Sequence, residues 1–335
     1  MKKGINRRLR RWAVMALLLC TALPADAFAA DGLVPMGCAV GIRLETDGVM
    51  VAGFSEVDTA EGKASPAADA GLKAGDVITR IGDRDTRTAA DFLSAMAAAD
   101  GRVMHLTALR GGRELLFNIE PAMSREGCWQ LGLWLRDGIS GIGTVTYYDP
   151  ETGAFGALGH GINDLDSGKL LPFEEGCITR AEVVDVVKGA SGAPGELCGQ
   201  PCADAELGTL EKNTFSGIFG TADFSCGTEA CIPAAAEEEV KLGPATILTT
   251  VGDGGAEEYS IEISRIYRHP EDHRFLLLTV TDPRLIERTG GIVQGMSGSP
   301  ILQDGKLIGA VTHVLLSDAT RGYGISIQDM LAAAA

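Results

Sequence analysis

The first third of the chain mixes strand-like and helix-like patterns of apolar and polar positions. Val40, Ile42 and Leu44 alternate with other residues, and 48–54 continues as apolar sequence. This predicts two strands joined around Thr46-Asp47-Gly48. Ser65 and Pro66 open a short helix, with Pro66 standing where no N–H is missed, and Gly71 closes it. Gly75-Asp76 turns into a strand over 77–81. Residues 88–99 read as a helix: Thr88 and Asp91 have capping-box spacing, and Phe92, Leu93 and Met96 form its apolar face. Strands over 103–109 and 114–119 make a hairpin around Gly111-Gly112.

From Ser124 onward the pattern changes to short apolar runs punctuated by glycine, at 131–135, 141–147, 154–158, 178–187, 215–219, 245–251, 259–267 and 275–280. No segment holds a long helical period. Many short strands with turns between them predict a sandwich or barrel. The stretches 190–199 and 223–239 are polar, acidic and rich in Gly, Pro or Ala, and read as surface loops. Near the C-terminus Pro300 starts an apolar strand, Asp304-Gly305 is a hairpin turn, and 307–311 return. There is no internal repeat and no long linker.

With 335 residues the chain can hold two cores. Its net charge of −16 argues against nucleic-acid binding, which needs a basic face. The charge is uneven. Residues 1–30 carry six basic side chains and one acid, so the remainder holds a net −21. Those basic residues precede an apolar run over 12–23, then Pro24 and small residues, which reads as an export signal or a signal anchor. The run is shorter than the roughly 20 apolar residues of a spanning helix. Leu19 before Cys20 makes a poor lipoprotein site.

Eight cysteines are present, one of them in the leader. Export permits disulfides, and Cys198/Cys202 with Cys226/Cys231 flank one polar stretch that they could staple. Zinc is the competing reading, disfavoured by spacings that depart from C-x2-C. No metal site or cofactor is expected.

The run Ser65-Pro66-Ala67-Ala68-Asp69-Ala70-Gly71-Leu72-Lys73-Ala74-Gly75-Asp76-Val77-Ile78 resembles a PDZ domain of the kind attached to bacterial proteases. A PDZ domain captures an extended peptide or C-terminus by adding it to a sheet edge beside a helix. The resemblance implies a carboxylate loop at 36–40, including Gly37 and Val40. It implies a groove strand at 41–44, including Gly41 and Ile42, and a groove helix at 88–99.

Gly295-Met296-Ser297-Gly298-Ser299-Pro300 offers a nucleophile. A serine hydroxyl needs a base to take its proton and N–H groups aimed at the oxygen that becomes negative. Flanking glycines allow the tight turn that gathers such N–H groups, here those of Gly295 and Ser297. Of five histidines, His105 lies in the 103–119 hairpin, His269 and His273 in a charged turn, and His313 on the strand after the serine hairpin. His160 stands between two glycines at a strand end, free to project into a cleft. The acid that orients it has three candidates, Asp164, Asp166 and Asp282, and spacing does not choose among them.

The G-x-S-G-x-P turn with its hairpin resembles the nucleophile loop of trypsin-like peptidases. Phe155-Gly156-Ala157-Leu158-Gly159-His160-Gly161, then Val280-Thr281-Asp282-Pro283, then Thr289 to Pro300, Gly309 to Val314 and Gly322-Tyr323-Gly324 look like the stage IV sporulation protein B peptidase family. The order of leader, PDZ domain and peptidase domain matches as well, while the cysteines and the acidic 190–239 stretch depart from it. The resemblance implies a mainly β chain, an N-terminal PDZ domain before a trypsin-like double β-barrel, and catalysis by His160, Asp282 and Ser297. It also implies self-processing, and export into the space between the membranes around the forespore. There the family cleaves a membrane-bound regulator of an intramembrane protease, and a late sigma factor is activated. Thr312 and His313 are expected to pair with the substrate backbone. The expected division is 1–30 leader, 33–122 PDZ domain and 124–335 peptidase domain. The competing readings are an inactive PDZ scaffold that senses peptides, and an exported esterase.

Overall fold

The computed structural model describes residues 32–163, 168, 170–224, 230–268 and 274–335. The leader, Asp164, Asp166, Cys226, His269 and His273 lie outside them. Among the described residues no helix is long and apolar enough to cross a membrane.

The long strand β1 (Ala39–Phe54) runs unbroken through the expected turn at Thr46-Asp47-Gly48. Gly48 is there for a close approach: a Cβ would collide with the Ile78 carbonyl. The far half of β1 begins a small sheet. Val49 and Met50 pair with β2 (Val77–Ile81), which pairs with β3 (Met104–Arg110), which pairs with β4 (Arg113–Ile119). Helix α1 (Pro66–Asp69) carries proline in its first turn. Helix α2 (Ala89–Ala99) forms the full capping box between Thr88 and Asp91. Phe92 and Met96 enter a core with Val51, Ile78, Leu106 and Ile119, whereas Leu93 is exposed. At the β2 turn the buried Asp76 accepts from Arg110 through both carboxylate oxygens.

The expected peptide groove is not where the resemblance put it. The strand β5 (Leu133–Tyr148) pairs with β1 along nearly its whole length, and β7 (Glu175–Val187) takes the other edge of β1 from Val40 to Glu45. Val40, Gly41 and Ile42 are therefore bonded on both edges and have none to offer a peptide. Gly37 lies under Leu248, and its carbonyl accepts from Thr250 Oγ1. Beside α2, the far half of β1 instead receives the chain's own residues 133–136, paired antiparallel with Met50 to Phe54. Leu131, Leu133 and Leu135 pack at alternate positions on the α2 core. This is strand addition within one molecule. The expected boundary between 122 and 124 is crossed in both directions.

The near half of β1 is a stave of the first barrel. Pairings run β5 to β6 (Ala154–Ala157), β9 (Gly217–Ala222), β8 (Glu196–Thr214), β7, β1 and back to β5. Val40, Ile42, Leu44, Val145, Phe155, Ile178, Leu210 and Ile218 fill it. Residues 196–199, expected in a loop, open the long strand β8. The second barrel closes through β10 (Gly243–Thr250), β11 (Ala256–Ile266), β12 (Leu276–Val280), β15 (Asp318–Ser326), β14 (Lys306–Leu315) and β13 (Pro300–Gln303). On β11 the inward residues Tyr259, Ile261 and Ile263 alternate with exposed Glu258, Ser260 and Glu262, the period of a half-buried strand. Two short helices, α3 (Pro283–Thr289) and α4 (Ile327–Ala334), complete the fold.

Candidate active site

The chain leaves β6 through Leu158 and Gly159, both left-handed at φ 67°. The bend carries His160 to the seam between the barrels. A Cβ on Gly159 would stand 3.1 Å from Thr312 Cγ2 and 3.0 Å from Ile325 Cγ2, so the backbone lies directly on the second barrel. His160 Nδ1 is 2.9 Å from the Gly161 carbonyl oxygen. A carbonyl only accepts, so Nδ1 carries the proton and Nε2 keeps its lone pair. The ring lies 5.0 Å from that of His313, centroid to centroid. Burial lowers the His160 pKa from its ordinary 6.5, and the Gly161 carbonyl opposes that only in part.

Ser297 is held in the turn that closes the same seam. Its backbone carbonyl accepts from Thr144 N–H at 3.0 Å. Gly298, at φ 98°, sits so close to the first barrel that a Cβ would collide with the Thr144 carbonyl and the Leu158 backbone. No larger residue fits there. Ser297 Oγ donates to the Thr312 carbonyl at 2.7 Å. Met296 is fully buried in the second core. The Met296 N–H is taken by Val293 O and the Gly298 N–H by Val311 O. Among the described residues the N–H groups of Gly295 and Ser297 have no acceptor, which leaves both able to donate to an oxyanion. Thr312 and His313 lie on β14, one bonded to the nucleophile and one against the His160 ring. The neighbouring strand β13 stops at its Pro300–Ala310 pair, short of them.

The structure does not bring Asp282 to this seam. Asp282 caps α3, with Pro283 in the first turn. Its Oδ1 accepts from Arg284 N–H at 2.9 Å and Arg284 Nε at 3.2 Å. Its Oδ2 accepts from Ser260 N–H at 3.2 Å and Arg284 Nη2 at 2.9 Å. Four donors satisfy the carboxylate, and Arg284 first, then the backbone N–H groups, hold its pKa down at about 2. His160 has no carboxylate partner among the described residues, where the Gly161 carbonyl holds its Nδ1; the other two candidate acids, Asp164 and Asp166, lie outside them. The expectation for Asp282 as orienter is corrected: D-P at a helix start is a cap signature.

Two residues that the sequence reading passed over touch the nucleophile turn directly, Thr144 and Thr146 of β5. Their signal was weak, since two threonines in a strand read as ordinary β formers. Of the cysteines, Cys128, Cys177, Cys198, Cys202 and Cys231 are unbridged thiols, so the staple that Cys198, Cys202, Cys226 and Cys231 could make is not formed among the described residues, outside which Cys226 lies. His105 is a surface residue of β3, with Nδ1 2.6 Å from Asn118 Oδ1.

A hydrolysis that uses neutral His160 as base should keep its acid limb below 6.5, because burial disfavours the charged ring. The check is the pH profile of kcat/KM on a soluble peptide. A midpoint at or above 7 would show that another group titrates.

The family model for the SpoIVB peptidase S55 matches residues 127–331, and a PDZ domain model matches 57–110. No match is found among curated proteins. Among solved structures, the PDZ domain of an SdrC-like protein from Listeria monocytogenes is 25% identical, covering 27% of this chain and 90% of its own, with a TM-score of 0.22. The Rv3671c protease from Mycobacterium tuberculosis in its active form is 14% identical, covering 58% and 74%, with a TM-score of 0.34. The HtrA-type protease AlgW with a tripeptide is 12% identical, covering 58% and 54%, with a TM-score of 0.34. The chain belongs to the SpoIVB peptidase S55 family, and is a serine endopeptidase with a PDZ domain in front of a pair of β-barrels.

Proposed function

We propose that this chain is an exported, self-processing signalling peptidase of sporulation. It cleaves itself and a membrane-bound regulator of an intramembrane protease in the space between forespore and mother cell, and so leads to activation of a late sigma factor. The observation that carries the reading is the family match over 127–331 with the PDZ match ahead of it. The basic and apolar start of the chain supports export, either with removal of the leader or with the leader kept as an anchor.

In this reading Ser297 Oγ turns from the Thr312 carbonyl toward His160 Nε2, gives up its proton and attacks a peptide carbonyl. The N–H groups of Gly295 and Ser297 take the oxyanion, each such donor contributing roughly 3–4 kcal/mol in the transition state. His160 then protonates the leaving amine. The substrate backbone lies along 312–314, and peptide segments that reach the PDZ domain compete with residues 131–136 for the place beside α2.

The test is co-expression of the full chain with membrane-tethered candidate regulators from a spore former, with N-terminal mapping of every fragment. Fragments of the regulator and of the chain itself are expected with the wild type and absent with Ser297→Ala. An intact regulator beside a chain that hydrolyses soluble peptides would overturn the signalling assignment and leave the peptidase assignment standing.

A further inference from the structure

Thr144 and Thr146 are fully buried, one residue apart on one face of β5. Val145 between them points into the first barrel's core. The two threonines therefore face outward from that barrel, into the seam. Thr144 Oγ1 donates to the Gly295 carbonyl at 2.8 Å, and Thr146 Oγ1 donates to the Gly298 carbonyl at 2.7 Å. The Thr144 backbone adds the bond to the Ser297 carbonyl, and its own carbonyl accepts from Leu158 N–H at 3.2 Å, two residues before His160.

A fully buried hydroxyl is costly unless it is bonded, and valine would fill the same volume in a strand without that demand. Two such hydroxyls are spent on the carbonyls that bracket Ser297. A peptide plane has its C=O and N–H on opposite sides. Pinning the Gly295 carbonyl to the first barrel turns the Met296 N–H the other way, to Val293 O. The N–H groups of Gly295 and Ser297 lie in the adjoining planes, whose Gln294 and Met296 carbonyls accept from Leu197 N–H and from Ser299, and among the described residues they have no acceptor. We propose that Thr144 and Thr146 are positioning residues for hydrolysis, which hold the 295–296 and 298–299 peptide planes that bracket Ser297 and so fix the turn that presents the oxyanion donors. Thr144 carries the larger share, because its carbonyl partner belongs to the oxyanion glycine.

The inference rests on Ser297 as nucleophile, which fluorophosphonate labelling of the wild type tests separately. The experiment compares the full-length wild type with Thr144→Val, Thr144→Ser and Thr146→Val. Steady-state hydrolysis of a soluble peptide is measured together with inhibition by a peptide boronate, which becomes tetrahedral on a serine. For Thr144→Val, kcat is expected to fall about 10- to 100-fold with KM within about twofold, and boronate affinity is expected to fall in parallel. Thr144→Ser, which keeps the hydroxyl, is expected to recover kcat to within about threefold of the wild type. Thr146→Val is expected to lower kcat by a smaller factor, with KM unchanged. A wild-type kcat in Thr144→Val overturns the proposal, as does a loss confined to KM. So does a Thr144→Ser variant as impaired as Thr144→Val, which would mark a packing role. Should Thr144→Val not fold, the serine variant and Thr146→Val carry the same comparison.

Discussion

Ser297→Ala is expected to abolish self-cleavage and to lower peptide hydrolysis about 10⁴-fold or more, leaving only what binding and the oxyanion donors supply. The fold should remain. The hydroxyl makes one hydrogen bond, to the Thr312 carbonyl, whose loss costs about 1 kcal/mol. The backbone of the turn is held independently by Thr144, Thr146 and Val311. Hydrolysis, fluorophosphonate labelling and thermal unfolding are measured on one preparation. Retained hydrolysis in the folded variant would mean that the nucleophile lies elsewhere.

The second large effect separates two roles for one residue. Asp282→Asn is expected to lower stability by about 1–2 kcal/mol at pH 7, after discounting for the solvent-exposed guanidinium of Arg284. Asparagine still caps a helix, so the loss lies in the charge-assisted bonds. The pH dependence follows from the direction of the shift. The Asp282 pKa lies at about 2 in the folded protein, below its ordinary 3.8. Its contribution is complete above about 4 and is lost as pH falls through about 2, so the stability curves of wild type and variant should converge at the acid end. Below the melting transition, kcat/KM should stay within about threefold of the wild type. An acid that orients the catalytic histidine would instead cost about 10⁴-fold on the same substitution. Urea unfolding against pH, with kinetics at 20 °C, tells the two apart, and a loss of that size without loss of stability would return Asp282 to the catalytic set.

The residues whose role is local were legible in the sequence. The Thr88/Asp91 capping box, the alternation of β11 and the 300–311 hairpin all depend on neighbours within a few positions. The bends that carry His160 and Ser297 were legible for the same reason, since the motifs themselves frame each with glycine. Gly48 misled because a glycine serves a turn and a close approach equally well, and only the Ile78 carbonyl decides between them. The membership of residues 39–45 in the first barrel is set by partners near 139–144 and 175–180, far along the chain. The strand β8 has acidic, Cys and Gly residues without clean alternation, and its irregular register with β7 explains why. Helices α3 and α4 span two turns each, too short to display a period. Asp282 was readable as a cap from the proline after it, whereas its catalytic role was implied by the family resemblance alone, since spacing does not separate it from Asp164 and Asp166.

The ribbon of β1 and β5 changes what kind of joint connects the two parts of the molecule. Neither part owns its strands: the same two backbones frame the place beside α2 at one end and the catalytic turn at the other. Turning the PDZ domain against the barrels bends this ribbon, at the bulge where 46–49 stand opposite Asp137, whereas a linker would swivel at little cost. Thr144 follows residue 136 on β5 by eight residues. The joint between the two parts is thus a shared, bulged two-strand ribbon, not a free linker.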